Sequence, residues 1–205
     1  MNHGNPEPLR RIPTPDGRVY LTFDDGPDDE WTPRILEVLD AHAAKATFFA
    51  IGRQAQRSGA LLRQARQAGH AIGNHGYGHE HPWTLSDARA RAEVRHGSDA
   101  IAQATGEVPR AYRPAFGRRR AAMFDEARRC NQLVVLWRLS AMDWGPFGRA
   151  ARVVQRLERA RSGDIVLLHD GRNRRNHPEV VAEVLPALLA SLRQRGLVAA
   201  PLPIA

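Results

Sequence analysis

The 205-residue chain has a single cysteine, Cys130, which excludes an intrachain disulfide framework. In DEARRCNQL that cysteine closes a helical segment, where packing accounts for it better than reactivity. No apolar run approaches the ~18 residues that a membrane-spanning helix needs. The N-terminus, MNHGNPEPLRRIPTPDG, lacks the apolar core of a secretory signal, so the expected location is the cytoplasm. Short repeats, low-complexity tracts and a second domain boundary are also missing. Acidic residues are in the minority: 30 Lys and Arg against 22 Asp and Glu leave a net charge of +8, nearly all of it arginine. Such a surface favours anionic partners in general. The arginines are spread along the chain, however, and the densest cluster, GRRR at 117–120, is short. No nucleic-acid reader motif accompanies them, so specific nucleic-acid recognition is not expected.

What remains is enough chain to bury one full core. Residues 1–17 are proline-rich and poor in apolar side chains, and read as an extended arm leading into a single domain at 18–205. Strand-length apolar runs then recur: VYLTF (19–23), ATFFAIG (46–52), HAIGN (70–74), RAYRPAF (110–116), LVVLWRL (133–139), DIVLLH (164–169) and, weakly, LVAAPL (197–202). Between them lie segments with helical spacing, such as Ile35-Leu36-Val38-Leu39, Leu61-Leu62-Ala65 and Val180-Val184-Leu185-Leu188-Leu192. Another helix is expected to start at a Ser86 cap and to end near Gly106. Alternating strands and helices imply a parallel sheet. Strands that are continuously apolar imply a sheet covered on both faces or closed on itself. The expected architecture is α/β, with about seven β/α units.

The uncommon polar residues fall at one place in that rhythm. Asp24 and Asp25 follow the first strand, and His75 and His79 the third. Arg113 lies near the end of the fourth, Asp143 and Trp144 just past the fifth, and His169 and Asp170 at the end of the sixth. These are the carboxyl ends of parallel strands, where α/β enzymes hold their ligands. His75 and His79 flank two glycines, Gly76 and Gly78, so a turn can aim both rings at one point. Two imidazoles and a carboxylate form a three-ligand metal site with a position open for water. Asp25 can supply that carboxylate, leaving Asp24 free to accept a proton. Taken singly, each feature has a plainer reading. Asp-Asp-Gly-Pro is commonly a turn, a His pair four apart is commonly a loop or helix face, and His169 reads equally well as a buried, satisfied imidazole. His81 beside Pro82 shapes a loop, and His70 precedes its strand at the wrong end of the sheet. Together these plain readings require a run of coincidences in one crevice.

Five motifs in order, TFDDGP, HGYGH, RPAFG, MDW and LLHD, with KATFFAIG following the first, give the chain a resemblance to the polysaccharide deacetylases of carbohydrate esterase family four, which share the NodB homology domain. The resemblance covers roughly residues 18–196. It implies a distorted (β/α) barrel and metal-assisted removal of acetyl groups from N- or O-acetylated sugars. It further implies Asp24 as general base, Asp25, His75 and His79 as ligands of Zn2+ (with Co2+, Ni2+ or Mn2+ as alternatives), and His169 as general acid. Arg113 and Asp143 would orient the catalytic pair. Leu167 and Trp144 would line the acetyl pocket, and the backbone N–H of Phe116 would face the oxyanion. The implied partner is an acetylated sugar or oligosaccharide. Three positions depart from the family pattern: Gly76 where Ser or Thr usually follows the first histidine, Ser140 in place of an Asp, and Phe116 in place of a Tyr. A non-sugar amide or ureide substrate, or a silent sugar-binding role, are the alternative readings.

Overall fold

The computed structural model describes residues 7–204; residues 1–6 of the expected arm and Ala205 lie outside the described residues. β1 (Arg18–Asp24) is the centre of the sheet. It is followed by α1 (Trp31–Ala41), β2 (Thr47–Ala50), α2 (Gly52–Gln67), β3 (Ala71–Asn74), α3 (Asp87–Thr105) and β4 (Ala111–Tyr112). Then come α4 (Ala121–Arg129), β5 (Leu133–Val134), β6 (Leu139–Ser140), α5 (Ala150–Leu157), β7 (Ile165–His169), α6 (Pro178–Gln194) and β8 (Val198–Ala200). All strand pairings are parallel, in the order β5-β4-β3-β2-β1-β7-β6, with β8 added beside β1. The sheet curls into a distorted, partly open (β/α) barrel, as expected.

Period-two alternation along β1 divides the interior into two layers. Val19, Leu21 and Phe23 face outward into the main core, against Ile35 and Leu39 of α1 and Val184, Leu185 and Leu188 of α6. Tyr20, Thr22 and Asp24 face the lumen, where Tyr20 packs with Phe49, Val135 and Ile165. Helix ends follow from local chemistry. Ser86 Oγ accepts the Arg89 N–H to cap α3, Asp87 complements the positive end of its dipole, and Gly106 closes it at φ 81°.

One expected strand is two. LVVLWRL divides into β5 and β6, which lie at opposite edges of the curled sheet, so residues 135–138 span the gap between them. Their backbone groups are engaged elsewhere. The Val135 and Leu136 carbonyls accept from Arg113 Nε (3.4 Å) and Nη2 (3.3 Å). Leu136 N donates to the Leu9 carbonyl (2.8 Å), and Leu9 N to that of Val134 (2.9 Å). The arm residue Leu9 thus forms a parallel bridge with Val135, and Arg11 an antiparallel one with Asp164.

Candidate metal centre

Asp24 is the last residue of β1, level with His169 of β7 and Phe49 of β2. The alternation that sends Tyr20 and Thr22 into the lumen sends Asp24 there too. Asp25 leaves the strand in the left-handed region, at φ 76°. Neighbouring carboxylates therefore diverge through the backbone and do not have to point to opposite faces of a strand. His75 follows β3, and the loop to His79 turns through Gly76 (φ 84°), with His79 itself at φ 56°. Left-handed backbone costs a non-glycine residue roughly 1–3 kcal/mol, and it persists where the surroundings over-determine it.

Those turns bring three donors together. His75 Nε2 lies 3.3 Å and His79 Nε2 3.1 Å from Asp25 Oδ1. The ligand atoms of Asp25, His75 and His79 all fall within 4.8 Å of one another. His75 Nδ1 sits 2.8 Å from the Arg113 carbonyl. A carbonyl only accepts, so this nitrogen carries the proton and Nε2 keeps its lone pair for the centre. Among the described residues, Asp25 Oδ1 is buried and without a hydrogen-bond partner, a condition that costs roughly 1–3 kcal/mol for a lone polar atom. A divalent cation satisfies that oxygen and both ring nitrogens at once, so the residues present fit the metal. Burial works to raise the Asp25 carboxyl, but the His75, His79 and His169 rings outweigh it and hold the group well below the usual carboxylate range. At His79 burial prevails and lowers the imidazole below its ordinary value.

Asp24 stands beside this cluster, with Oδ2 3.7 Å from His75 Nε2. Its other oxygen accepts from Arg113 Nη1 at 2.6 Å. Arg113 is fully buried, stacked 4.1 Å over Phe49, and also donates to Thr22 Oγ1 at 2.8 Å. Across the cavity, Asp143 accepts twice from one residue, at Oδ2 from the His169 backbone N–H (2.8 Å) and at Oδ1 from His169 Nδ1 (2.9 Å). Burial opposes a charged His169, yet Asp143, with Asp25 and Asp24 behind it, more than offsets it and lifts the imidazole from an ordinary 6.5 to about 9. Trp144 meets the His169 ring edge-on at 5.5 Å.

All ten residues expected at the site gather in one region. Asp24, Asp25, His75, His79, Phe116, Trp144, Leu167 and His169 line a cavity of ≈ 670 Å³, within the size range of small-molecule sites. Arg113 and Asp143 lie buried directly behind it. A larger cavity of ≈ 960 Å³ opens at the amino ends of the strands, beside His70 and Ala71, far from the Asp and His cluster. Its His70 is held at about 4 by burial and by Lys45, and Nδ1 accepts the Ala46 N–H, so this histidine is structural.

The departures from the family pattern have local explanations. Gly76 leaves room for Glu93, whose Oε2 would sit 3.3 Å from a β-carbon there and which accepts the Gly78 N–H at 2.9 Å. Ser140 Oγ caps the Met142 N–H (3.1 Å). Phe116 joins a run of rings leading out of the pocket: His79 at 4.6 Å, His81 at 5.1 Å, and Trp83 at 5.5 Å from His81. His81 is thus a cavity residue as well as a loop former.

Several polar residues brace the region in ways the sequence does not signal. Asp170 accepts from Thr32 Oγ1 (2.6 Å) and Gly26 N (3.2 Å), fixing the turn after Asp25; burial, with Asp25 and Asp24 nearby, raises it to about 7. Asn173 and Asn176, in the loop after β7, both donate to Asp25 Oδ2. Asparagines in a polar loop look like ordinary turn formers.

Comparison with known proteins agrees with this geometry. The polysaccharide deacetylase family model matches residues 11–135. A peptidoglycan-N-acetylglucosamine deacetylase of Bacillus cereus is 36% identical over 180 residues, covering 86% of this chain and 84% of that protein. A chitooligosaccharide deacetylase of Azorhizobium caulinodans is 32% identical over 162 residues, 78% of this chain and 77% of its own length. Among solved structures, a family 4 carbohydrate esterase from Streptomyces lividans in complex with acetate superposes with a TM-score of 0.82 at 30% identity, covering 90% of this chain and 92% of that one. With more than half of its length matching and the same fold in a solved relative, the chain belongs to the polysaccharide deacetylase family, hydrolases that act on acetylated carbohydrates.

Proposed function

We propose that this protein is a metal-dependent deacetylase that hydrolyses the N-acetyl group of an amino sugar within an oligosaccharide. The observation that carries the reading is the opposition, across one cavity, of a three-donor cluster with a spare carboxylate and a histidine backed by a buried Asp. Asp25, His75 and His79 would hold the cation. Two imidazoles and one carboxylate favour Zn2+, and the same donors accept Co2+, Ni2+ or Mn2+. When bound, the cation polarises the acetyl carbonyl and acidifies water.

The chain's own groups supply the rest. Asp24 Oδ2 faces inward and takes the proton of the attacking water, while Arg113 keeps Oδ1 occupied and the carboxylate in one orientation. His169, held as an imidazolium by Asp143, gives its proton to the sugar nitrogen as the C–N bond breaks. An amide anion is too poor a leaving group to depart without it. Each proton-transfer partner contributes about 10²–10⁴ in rate. Leu167 and Trp144 offer an apolar wall to the acetyl methyl, and the backbone N–H of Phe116, at a left-handed turn on the cavity wall, would face the oxyanion.

The ring surface of Phe116, His81 and Trp83 suits the apolar faces of further sugar rings, and Phe116 and Trp83 are 49% and 60% exposed. On the opposite loop Arg172 pairs with Glu179, whereas Arg174 and Arg175 line the cavity. That placement favours a glycan bearing carboxylates, such as peptidoglycan, over a neutral one. The test is acetate release from N-acetylglucosamine oligomers and from peptidoglycan fragments with zinc supplied. Turnover that is abolished by chelator and restored by zinc supports the reading. Metal-bound protein that releases no acetate from any acetylated glycan overturns it in favour of a silent or non-sugar role.

A further inference from the structure

Two amides converge on the far side of Asp25. Asn176 Nδ2 lies 2.6 Å and Asn173 Nδ2 3.0 Å from Asp25 Oδ2, the oxygen turned away from the two histidines. In each case the surroundings fix which end of the amide points there. Asn173 Oδ1 already accepts the backbone N–H groups of Arg175 (2.8 Å) and Asn176 (3.0 Å), so its NH2 is the end left for Asp25. Asn176 Nδ2 also lies 3.3 Å from the Gly171 carbonyl, so it faces two acceptors, and only an NH2 satisfies both. Asn176 is buried. Meanwhile Asp25 Oδ1 has no hydrogen-bond partner among the described residues and faces both Nε2 atoms.

We propose that Asn173 and Asn176 are positioning residues for the metal: their amides tie down Asp25 Oδ2, so that the carboxylate presents Oδ1 alone to the cation. The inference rests on Asp25 being a metal ligand, as argued above. A carboxylate free to rotate can offer both oxygens and fill a position that water or the acetyl oxygen needs. Pinned at Oδ2, it is a one-oxygen ligand of fixed direction. Asp24 is arranged alike, with Arg113 on one oxygen and the other facing inward. β7 thus carries His169 into place, and the loop that follows it holds the carboxylate just past the end of β1.

The experiment measures zinc dissociation constants by chelator competition, together with the melting temperature of the metal-free protein. Asn173→Ser keeps an oxygen for the loop N–H groups and removes the donor to Asp25; Asn176→Ala removes the other. The double variant is expected to bind zinc about 10–100-fold more weakly, with metal-free melting close to that of the native protein. Asn173 is exposed, so N173S alone serves if the double variant does not fold, and it is expected to lose about tenfold. Native zinc affinity in N173S and in the double variant would overturn the proposal while leaving Asp25 a ligand. If the native protein binds no zinc, or Asp25→Ala binds it unchanged, the metal assignment itself fails, a distinct result.

Discussion

Replacing Asp143 with Asn tests whether His169 works as a proton donor held charged by its partner. Asp143 is fully buried and accepts from both the backbone N–H and Nδ1 of His169. A carboxamide is nearly the same shape but has one acceptor oxygen, so its NH2 group must face one of those donors. Without that charge burial lowers the ring's proton affinity against the weaker pull of Asp25 and Asp24, and the value falls from about 9 toward the ordinary 6.5. For a simple titration, the protonated fraction at pH 8 drops from about 0.9 to about 0.03, a loss of about 30-fold. At pH 6 the two proteins differ by less than about twofold. A bound dication lowers both values alike, so the separation between the two profiles is the quantity to read. The assay is kcat/KM for an N-acetylated oligosaccharide across pH 5.5–9.5, with His169→Ala as the reference for complete loss of the group. D143N activity should approach native activity at low pH and fall away as pH rises. A loss of equal size at pH 6 and pH 8, or an unmoved basic limb, would refute the reasoning. The same pair bears on stability. A histidine raised in the folded state contributes fully below its unfolded value of 6.5, and that contribution is lost as pH rises through about 9. Native protein should therefore lose its advantage in urea over D143N at alkaline pH.

Asp24→Asn is expected to keep zinc and lose about 10²–10⁴ in kcat, whereas Asp25→Ala or His79→Ala should lose the metal; metal analysis beside acetate release separates the two. Arg113→Met removes the guanidinium paired with a buried Asp24 and should destabilise the fold by about 3–5 kcal/mol in urea unfolding. Arg174→Gln with Arg175→Gln should lower kcat/KM on acidic peptidoglycan fragments by about 2–5-fold per charge, leave neutral chitooligosaccharides nearly unchanged, and fade with added salt.

The site was far more legible in the sequence than its supports were. Asp24, Asp25, His75, His79 and His169 stand where apolar runs stop, and in a parallel sheet every such stop opens on one side, so their meeting follows from topology. The parallel α/β sheet followed from the same rhythm, and its curling into a distorted barrel from the resemblance. LVVLWRL defeated the reading because an apolar run signals a strand without saying whether its backbone pairs with a neighbour. Here Arg113 and Leu9 occupy those groups instead. The helix at 150–157 buries Val153 and Leu157 at helical spacing, but it is too short for that pair to announce it. Asn173, Asn176 and Thr32 stayed hidden for another reason, and Asp170, though it stands at a strand end, showed nothing of its role. Each acts through a hydrogen bond to a residue distant in sequence, and nothing in a polar turn distinguishes such a side chain from one that faces water.

The stretch joining the two sheet edges has a mechanical consequence. Leu9 grips Leu136, Leu136 and Val135 hold the guanidinium of Arg113 through their carbonyls, and that guanidinium sets the angle of Asp24. The seam of the barrel and the proposed proton acceptor are thus consecutive links of one linkage. Trimming the leading segment past Leu9 would loosen the staple at the bottom of this linkage and be felt at its top as a misaimed carboxylate, with Asp25, His75 and His79 still in place.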